Sequence, residues 1–158
     1  MATLRRATVE DAAALTRLRG VMHAAMGDQP TPEWQQRCEA DLARRLATER
    51  FAAFVVEDDG EVVAAGCGWL EEHLAAPYQL DARRGHIASM STEPRYRRRG
   101  HGRAVFEALM AWFAGQGIPR IDLRATPDGQ PLYAAAGFRV LGGATMAWNA
   151  PGTRPGMG

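Results

Sequence analysis

The sequence predicts one α/β domain in which a mixed, mostly antiparallel sheet carries helices on both faces. Three observations lead there. The β-rich runs FAAFVVED and EVVAAGCGWLEE meet at Asp59-Gly60, and Asp-Gly between such runs signals a hairpin because both turn positions favour positive φ. Apolar residues recur at helical spacing in three further segments. The order of segments, β-α-α-β-β-β-α-β-α-β-β, places helices on both faces of a mixed sheet.

Taken in turn, Thr3–Thr8 alternates weakly as a first strand. Thr8 with Asp11 resembles a capping box, and Leu15, Leu18 and Met22 then follow along one helix face until MGDQP breaks it. Thr31 before Pro32 is an N-cap with proline at the first helical position. Trp34, Cys38, Leu42 and Leu46 then form a stripe on a second helix. After the hairpin comes a loop, LAAPYQLDARRG, and a strand, HIASMSTEP. Val105, Phe106, Leu109, Met110, Trp112 and Phe113 make the buried face of a third helix that ends at Gly115 and Gly117. IDLRAT reads as a strand and QPLYAAAG as a short helix with Gly137 at its C-cap. FRVL and ATMAW, split by Gly142-Gly143, read as a closing hairpin whose apolar strand invites pairing with a second copy, so a homodimer is expected. The domain is expected over residues 1–148, with a frayed Pro/Gly-rich tail over 149–158.

Composition excludes several functions. With 158 residues, 46 % hydrophobic and 23 % charged, the chain is globular and long enough for a full core. No apolar run is long enough for a membrane span, and acidic residues interrupt the N-terminus where a signal peptide needs an apolar stretch. A cytoplasmic protein is the expectation. Cys38 and Cys67 are too few for a disulfide framework and show no CxxC spacing, so no metal is expected. All 19 basic residues are arginine. Without lysine there is no Schiff base and no P-loop NTPase. A net charge of +1 argues against a nucleic-acid partner.

The stretch PRYRRRGHGRAV, Pro94 to Val105, sits between a strand and a helix. A helix's first turn leaves N–H groups without partners and carries partial positive charge, so it attracts anions. Gly100 and Gly102 let backbone approach a ligand, and Arg97, Arg98, Arg99 and Arg103 supply planar forks suited to phosphate. The features together describe a pyrophosphate cradle. A dinucleotide fingerprint fails at its third glycine, which is Val105.

Arg97-Arg98-Arg99-Gly100-His101-Gly102 resembles the acetyl-CoA motif [QR]-x-x-G-x-[GA] of the GNAT N-acetyltransferases, and Tyr133 to Phe138 resembles the family's Y-x-x-x-G-F landmark. The element order is also that of the family, so the resemblance spans nearly the whole chain. It implies a GNAT-like fold and transfer of acetyl from acetyl-CoA to a primary amine by direct attack. A small-molecule acceptor is the leading expectation. A protein N-terminus or lysine is the alternative, and a non-catalytic acyl-CoA-binding domain is the reading from another class.

The resemblance implies that the fourth and fifth strands splay, with pantetheine along the backbone of Met90, Ser91 and Thr92 and pyrophosphate at Arg97 to Arg103. His101 lies inside the cradle and supports it. N–H groups near Met90 would stabilise the oxyanion, and Tyr133 would protonate the departing thiolate. The amine needs a base. Glu93, which follows the pantetheine strand, is one candidate, beside Glu71, Glu72, His73 and His86. Where many relatives carry a pantetheine-binding asparagine this chain has Thr126, which leaves its contact open. Cys67 is read as core and His23 as surface. Asp28, Glu33 and Asp81, in the loops that line the acceptor pocket of this fold, are acids able to attract a cationic amine.

Overall fold

A computed structural model describes residues 1–154. Strand β1 (Thr3–Arg6) leads through a single 3-10 turn into helices α1 (Ala12–Ala25) and α2 (Pro32–Leu46). Strands β2 (Phe51–Asp58), β3 (Glu61–Glu72) and β4 (Arg83–Thr92) follow, then helix α3 (His101–Gly115), strand β5 (Ile121–Leu123) and helix α4 (Gln130–Ala135). The sheet order is β1-β2-β3-β4-β5, antiparallel except for the parallel β4–β5 pair that α3 connects.

The local signals act as expected. Asp59 and Gly60 turn the β2–β3 hairpin at φ 50° and 78°, and the Thr31 hydroxyl accepts from the Trp34 N–H at 3.2 Å to start α2. The Thr8–Asp11 capping box is present, and it does more than start a helix. Asp11 accepts from the Thr8 N–H at 2.8 Å and from both terminal nitrogens of Arg5, each at 2.8 Å, while Arg5 Nε reaches Glu57 at 3.0 Å. One buried carboxylate thus ties β1 to the entry of α1.

Two cores lie on opposite faces of the sheet. Leu15, Leu18 and Leu42 of α1 and α2 pack on Phe51, Val55 and Cys67. On the other face Val105, Phe106, Leu109 and Phe113 of α3 pack on Val56, Val63 and Ile87. Gly68 and Gly85 make the second packing close: a Cβ there would stand 2.9 Å and 2.5 Å from the Phe113 ring.

Two expectations are corrected. IDLRAT stops being strand at Leu123, because the carbonyl and hydroxyl of Thr126 turn to receive Gly129 and Gln130 at the start of α4. FRVL and ATMAW form no ladder. A strand only three residues long on the neighbouring edge offers them little to pair with, and their apolar side chains Val140, Leu141, Met146 and Trp148 are exposed. Of the tail expected over 149–158, residues 149–154 carry neither helix nor strand, and 155–158 lie outside the described residues.

The Arg5 guanidinium holds the Asp11 carboxyl below its usual range. Its folded pKa is therefore lower than its unfolded value near ~3.9, so the stabilisation is full above that value and is lost as pH falls through the folded pKa. Asp11→Asn should cost about 1–3 kcal/mol at pH 7 and less at pH 3. Thermal melts at both pH values check this, and an equal loss at both would exclude a charge-based role.

Candidate active site

The site begins where β4 loses its neighbour. On one edge β4 pairs β5 only from Gly85 to Ile87, opposite Ile121 to Leu123. Beyond that point the chain after Leu123 turns away, and Ala88 to Thr92 present backbone groups with no partner strand on that side. The opposite edge is irregular too. Ala65 pairs Ser91 and Cys67 pairs Ala88, so β3 advances two residues while β4 advances three. The extra residue is a bulge, and Ser89 within it sits at φ 58°. Left-handed backbone at a non-glycine residue costs about 1–3 kcal/mol, and bulges of this kind gather beside functional sites.

The bulge sorts the side chains of β4. Met90 turns toward α3, where its sulfur occupies the place a Cβ on Gly66 would need. Ser89 and Ser91 turn toward α1. The Ser91 hydroxyl donates to the Leu18 carbonyl at 2.9 Å, and Arg19 donates to the Ser89 hydroxyl.

At the end of the open edge lies the start of α3. Arg98 and Gly100 take left-handed backbone, φ 63° and 83°, and wrap the chain around the helix terminus. Ala104 makes the first helical bond, to Gly100 at 3.0 Å, which leaves the N–H groups of His101, Gly102 and Arg103 without helical partners. Arg98 and Arg103 are exposed. Arg97 donates to the Thr92 carbonyl at 3.2 Å, and Arg95 and Arg99 stack on Tyr96 at 5.3 and 5.1 Å. The His101 ring lies 6.5 Å from that of Tyr96, so His101 belongs to the wall of this terminus. A Cβ on Gly102 would meet only the Thr92 hydroxyl, at 3.8 Å, so open space lies directly above this backbone.

Tyr133 is placed by α4 in the core under the open edge, in the same cluster as Met90 and Leu123. Its ring meets Phe106 at 5.3 Å and Phe138 at 6.2 Å. The residue is 8 % exposed. Burial pushes its pKa above the ordinary phenol value, which keeps the proton in place at neutral pH.

Other candidates are not brought together with it. Glu93 is held by Arg17, which also donates to the Val62 carbonyl at 2.6 Å, and its N–H binds Val63. Glu71 accepts from Trp69 Nε1 at 3.0 Å and pairs with His73 at 3.0 Å, and His73 lowers its pKa. The Thr126 hydroxyl accepts from the Gly129 N–H at 3.2 Å. His23 is half-buried against Asp28 at 3.0 Å rather than exposed. Asp81 is paired with Arg83 at 2.8 Å. Burial lifts the Cys67 thiol to about 12, so it is no nucleophile.

Sequence reading missed Ser89 and Arg19. The bulge had one visible trace, Gly66 inside an otherwise continuous strand pattern. Arg19 looked like any other arginine on a helix.

The pattern of the Acetyltransferase (GNAT) family matches residues 19–138. The chain belongs to this family. A predicted acetyltransferase of Clostridium acetobutylicum, crystallised with acetyl-CoA, superposes with a TM-score of 0.84 at 21 % identity, covering 93 % of this chain and 96 % of that one. A GCN5-related N-acetyltransferase of Ralstonia eutropha JMP134 gives 0.83 at 28 %, covering 94 % and 99 %. Glucosamine-6-phosphate N-acetyltransferase of Arabidopsis thaliana gives 0.71 at 17 %, covering 94 % and 98 %. No curated protein matches the chain in sequence.

The open space above Gly102 makes a direct test. Coenzyme A at a hundred times its Kd should raise stability by about 2.7 kcal/mol, and Gly102→Val should abolish that protection. Gly115→Ala, where a Cβ meets nothing, should keep it. Undiminished protection of Gly102→Val in thermal shift would remove this terminus from the site.

Proposed function

We propose that this GNAT chain is an N-acetyltransferase that moves the acetyl group of acetyl-CoA to the primary amine of a small molecule. One observation carries the reading: two differently built volumes meet at Ser89. On one side runs the open edge of β4, which ends at the cationic start of α3. On the other, a cavity of about 190 Å³ opens between α1, α2 and the sheet, and Ser89 lines it.

The residues fit the donor. An extended pantetheine chain can add to the bare edge at Met90, Ser91 and Thr92 as a strand would. The pyrophosphate suits the free N–H groups of His101, Gly102 and Arg103, with Arg97, Arg98 and Arg99 around them. Acetyl-CoA brings a thioester whose carbonyl an amine can attack, releasing a thiolate. Backbone N–H groups at the bulge near Met90 face developing negative charge on the carbonyl oxygen. Tyr133 keeps its proton at neutral pH and offers it to the departing sulfur. Glu93 and Glu71 are the candidate bases. Arg17 occupies the first, while Trp69 and His73 occupy the second, so either takes the amine's proton through a relay water. The half-enclosed cavity favours a small acceptor over a polypeptide, which needs an open groove.

Tyr133→Phe tests the assignment. It preserves the packing on Phe106 and Phe138 and removes only the hydroxyl. General-acid help is worth ~10²–10⁴-fold in rate, so kcat should fall by that order while acetyl-CoA affinity holds. The defect should shrink with an acyl donor of more acidic thiol. Full kcat in the Phe variant would assign the proton to water.

A further inference from the structure

The cavity beside Ser89 is lined by Arg19, Arg45, Asp41, Leu42, Phe51 and Trp69, and its charges are not balanced. Asp41, its one acid, is paired with Arg44 at 2.9 Å. Neither Arg19 nor Arg45 has a carboxylate partner among the described residues. Arg19 donates to Ser89, which ties its guanidinium to the bulge where that strand lines the cavity. Arg45, which also lines the cavity, lies over the Trp69 ring at 5.6 Å. Burial raises the pKa of the Cys67 thiol, which also lines the cavity, and the charges of Arg19 and Arg45 oppose that rise. Two cations therefore line one small volume, and among the described residues neither is paired with a carboxylate.

Arg19 is half-buried and Arg45 exposed, so one partly enclosed guanidinium and one solvated guanidinium face the cavity, and an anion there would meet both. Their planar forks match a carboxylate or phosphate. Of the acids expected to draw a cationic acceptor, Asp28 is engaged by His23 and Asp81 by Arg83, while Glu33 stands exposed at the start of α2 and does not line this cavity. We propose that the acceptor is a small amine that also carries an anionic group, a carboxylate or a phosphate, held by Arg19 and Arg45 while its amine points at the bulge. The proposal rests on the acetyltransferase reading and narrows it to one acceptor class. The apolar walls, Leu42, Phe51 and Trp69, would take the carbon skeleton between the two groups.

The test compares matched acceptors by release of free thiol from acetyl-CoA. One arm pairs amino acids with their carboxamides, and another pairs phosphoethanolamine with ethanolamine; the two arms separate carboxylate from phosphate. The anionic member of one arm should be preferred by about 10- to 100-fold in kcat/KM, the range for a lost charge-assisted hydrogen bond. Arg45→Met, which keeps a stem to cover Trp69, should shrink that preference through KM. Arg45→Glu should invert it, and unchanged melting temperatures would show both variants to be folded. Neutral members used as well as the anions, or better, overturn the proposal and leave the enzyme reading intact. Thiol release from no acceptor strikes at the enzyme reading instead. In that case calorimetric titration of the N-acetylated amino acids, O-phosphoethanolamine and the neutral counterparts into the protein with coenzyme A decides the site. Anion-selective binding upholds the proposal, and its absence ends it.

Discussion

Everything in this molecule that bears on chemistry depends on a row of backbone groups left without a partner. Buried peptide groups are almost always paired, because an unpaired one costs as much as a lost hydrogen bond. Strand β4 leaves the groups on one side unladdered along the half-buried run Ala88 to Thr92, because β5 ends after three residues. The gap is built by neighbouring contacts rather than by chance. The Gly85 N–H binds the Arg120 carbonyl at 2.8 Å and fixes where β5 begins, and the Thr126 turn fixes where it must end. An extended ligand restores what β5 withholds.

Close packing then aims the second half of the site. Helix α3 presses on the sheet through Gly66, Gly68 and Gly85, so Val105, Leu109 and Phe113 settle into places where any side chain on those glycines would intrude. Because the helix is rigid and seated this way, its unpaired N–H groups lie at the mouth of the open edge. The bulge at Ser89 does the remaining work. By slipping one residue it points Met90 to the α3 core and Ser89 to the α1–α2 cavity, so one strand serves both volumes.

Much of this was legible in the residues. Asp59-Gly60, Thr31-Pro32 and the Thr8–Asp11 box act locally, through φ preferences and side chains within one turn, and each reappears in the structure. The arginine–glycine stretch was readable for the same reason: a helix terminus is an anion site wherever it occurs. What escaped is non-local. The bulge comes from mismatched registers on two strands, and the convergence of Arg19 with Arg45 needs α1 and α2 laid across the sheet. FRVL and ATMAW have the alternation of strands, but alternation says only that one face wants covering. Here Val140, Met146 and Trp148 stay exposed. Glu93 follows the open strand in sequence, but its pairing with Arg17 of α1 is a long-range contact that only the fold reveals.

The account stands on the bare edge of β4 as the place where the acetyl donor docks, and amide hydrogen exchange reads that edge directly. On adding acetyl-CoA, the N–H groups of Ala88 to Thr92 that face the gap should slow in exchange together with those of His101 to Arg103. The amides of β2, already laddered on both sides, should not change. Protection at the helix start without any along β4 would contradict the account, because the ligand would then bind as a bare anion and not as an added strand.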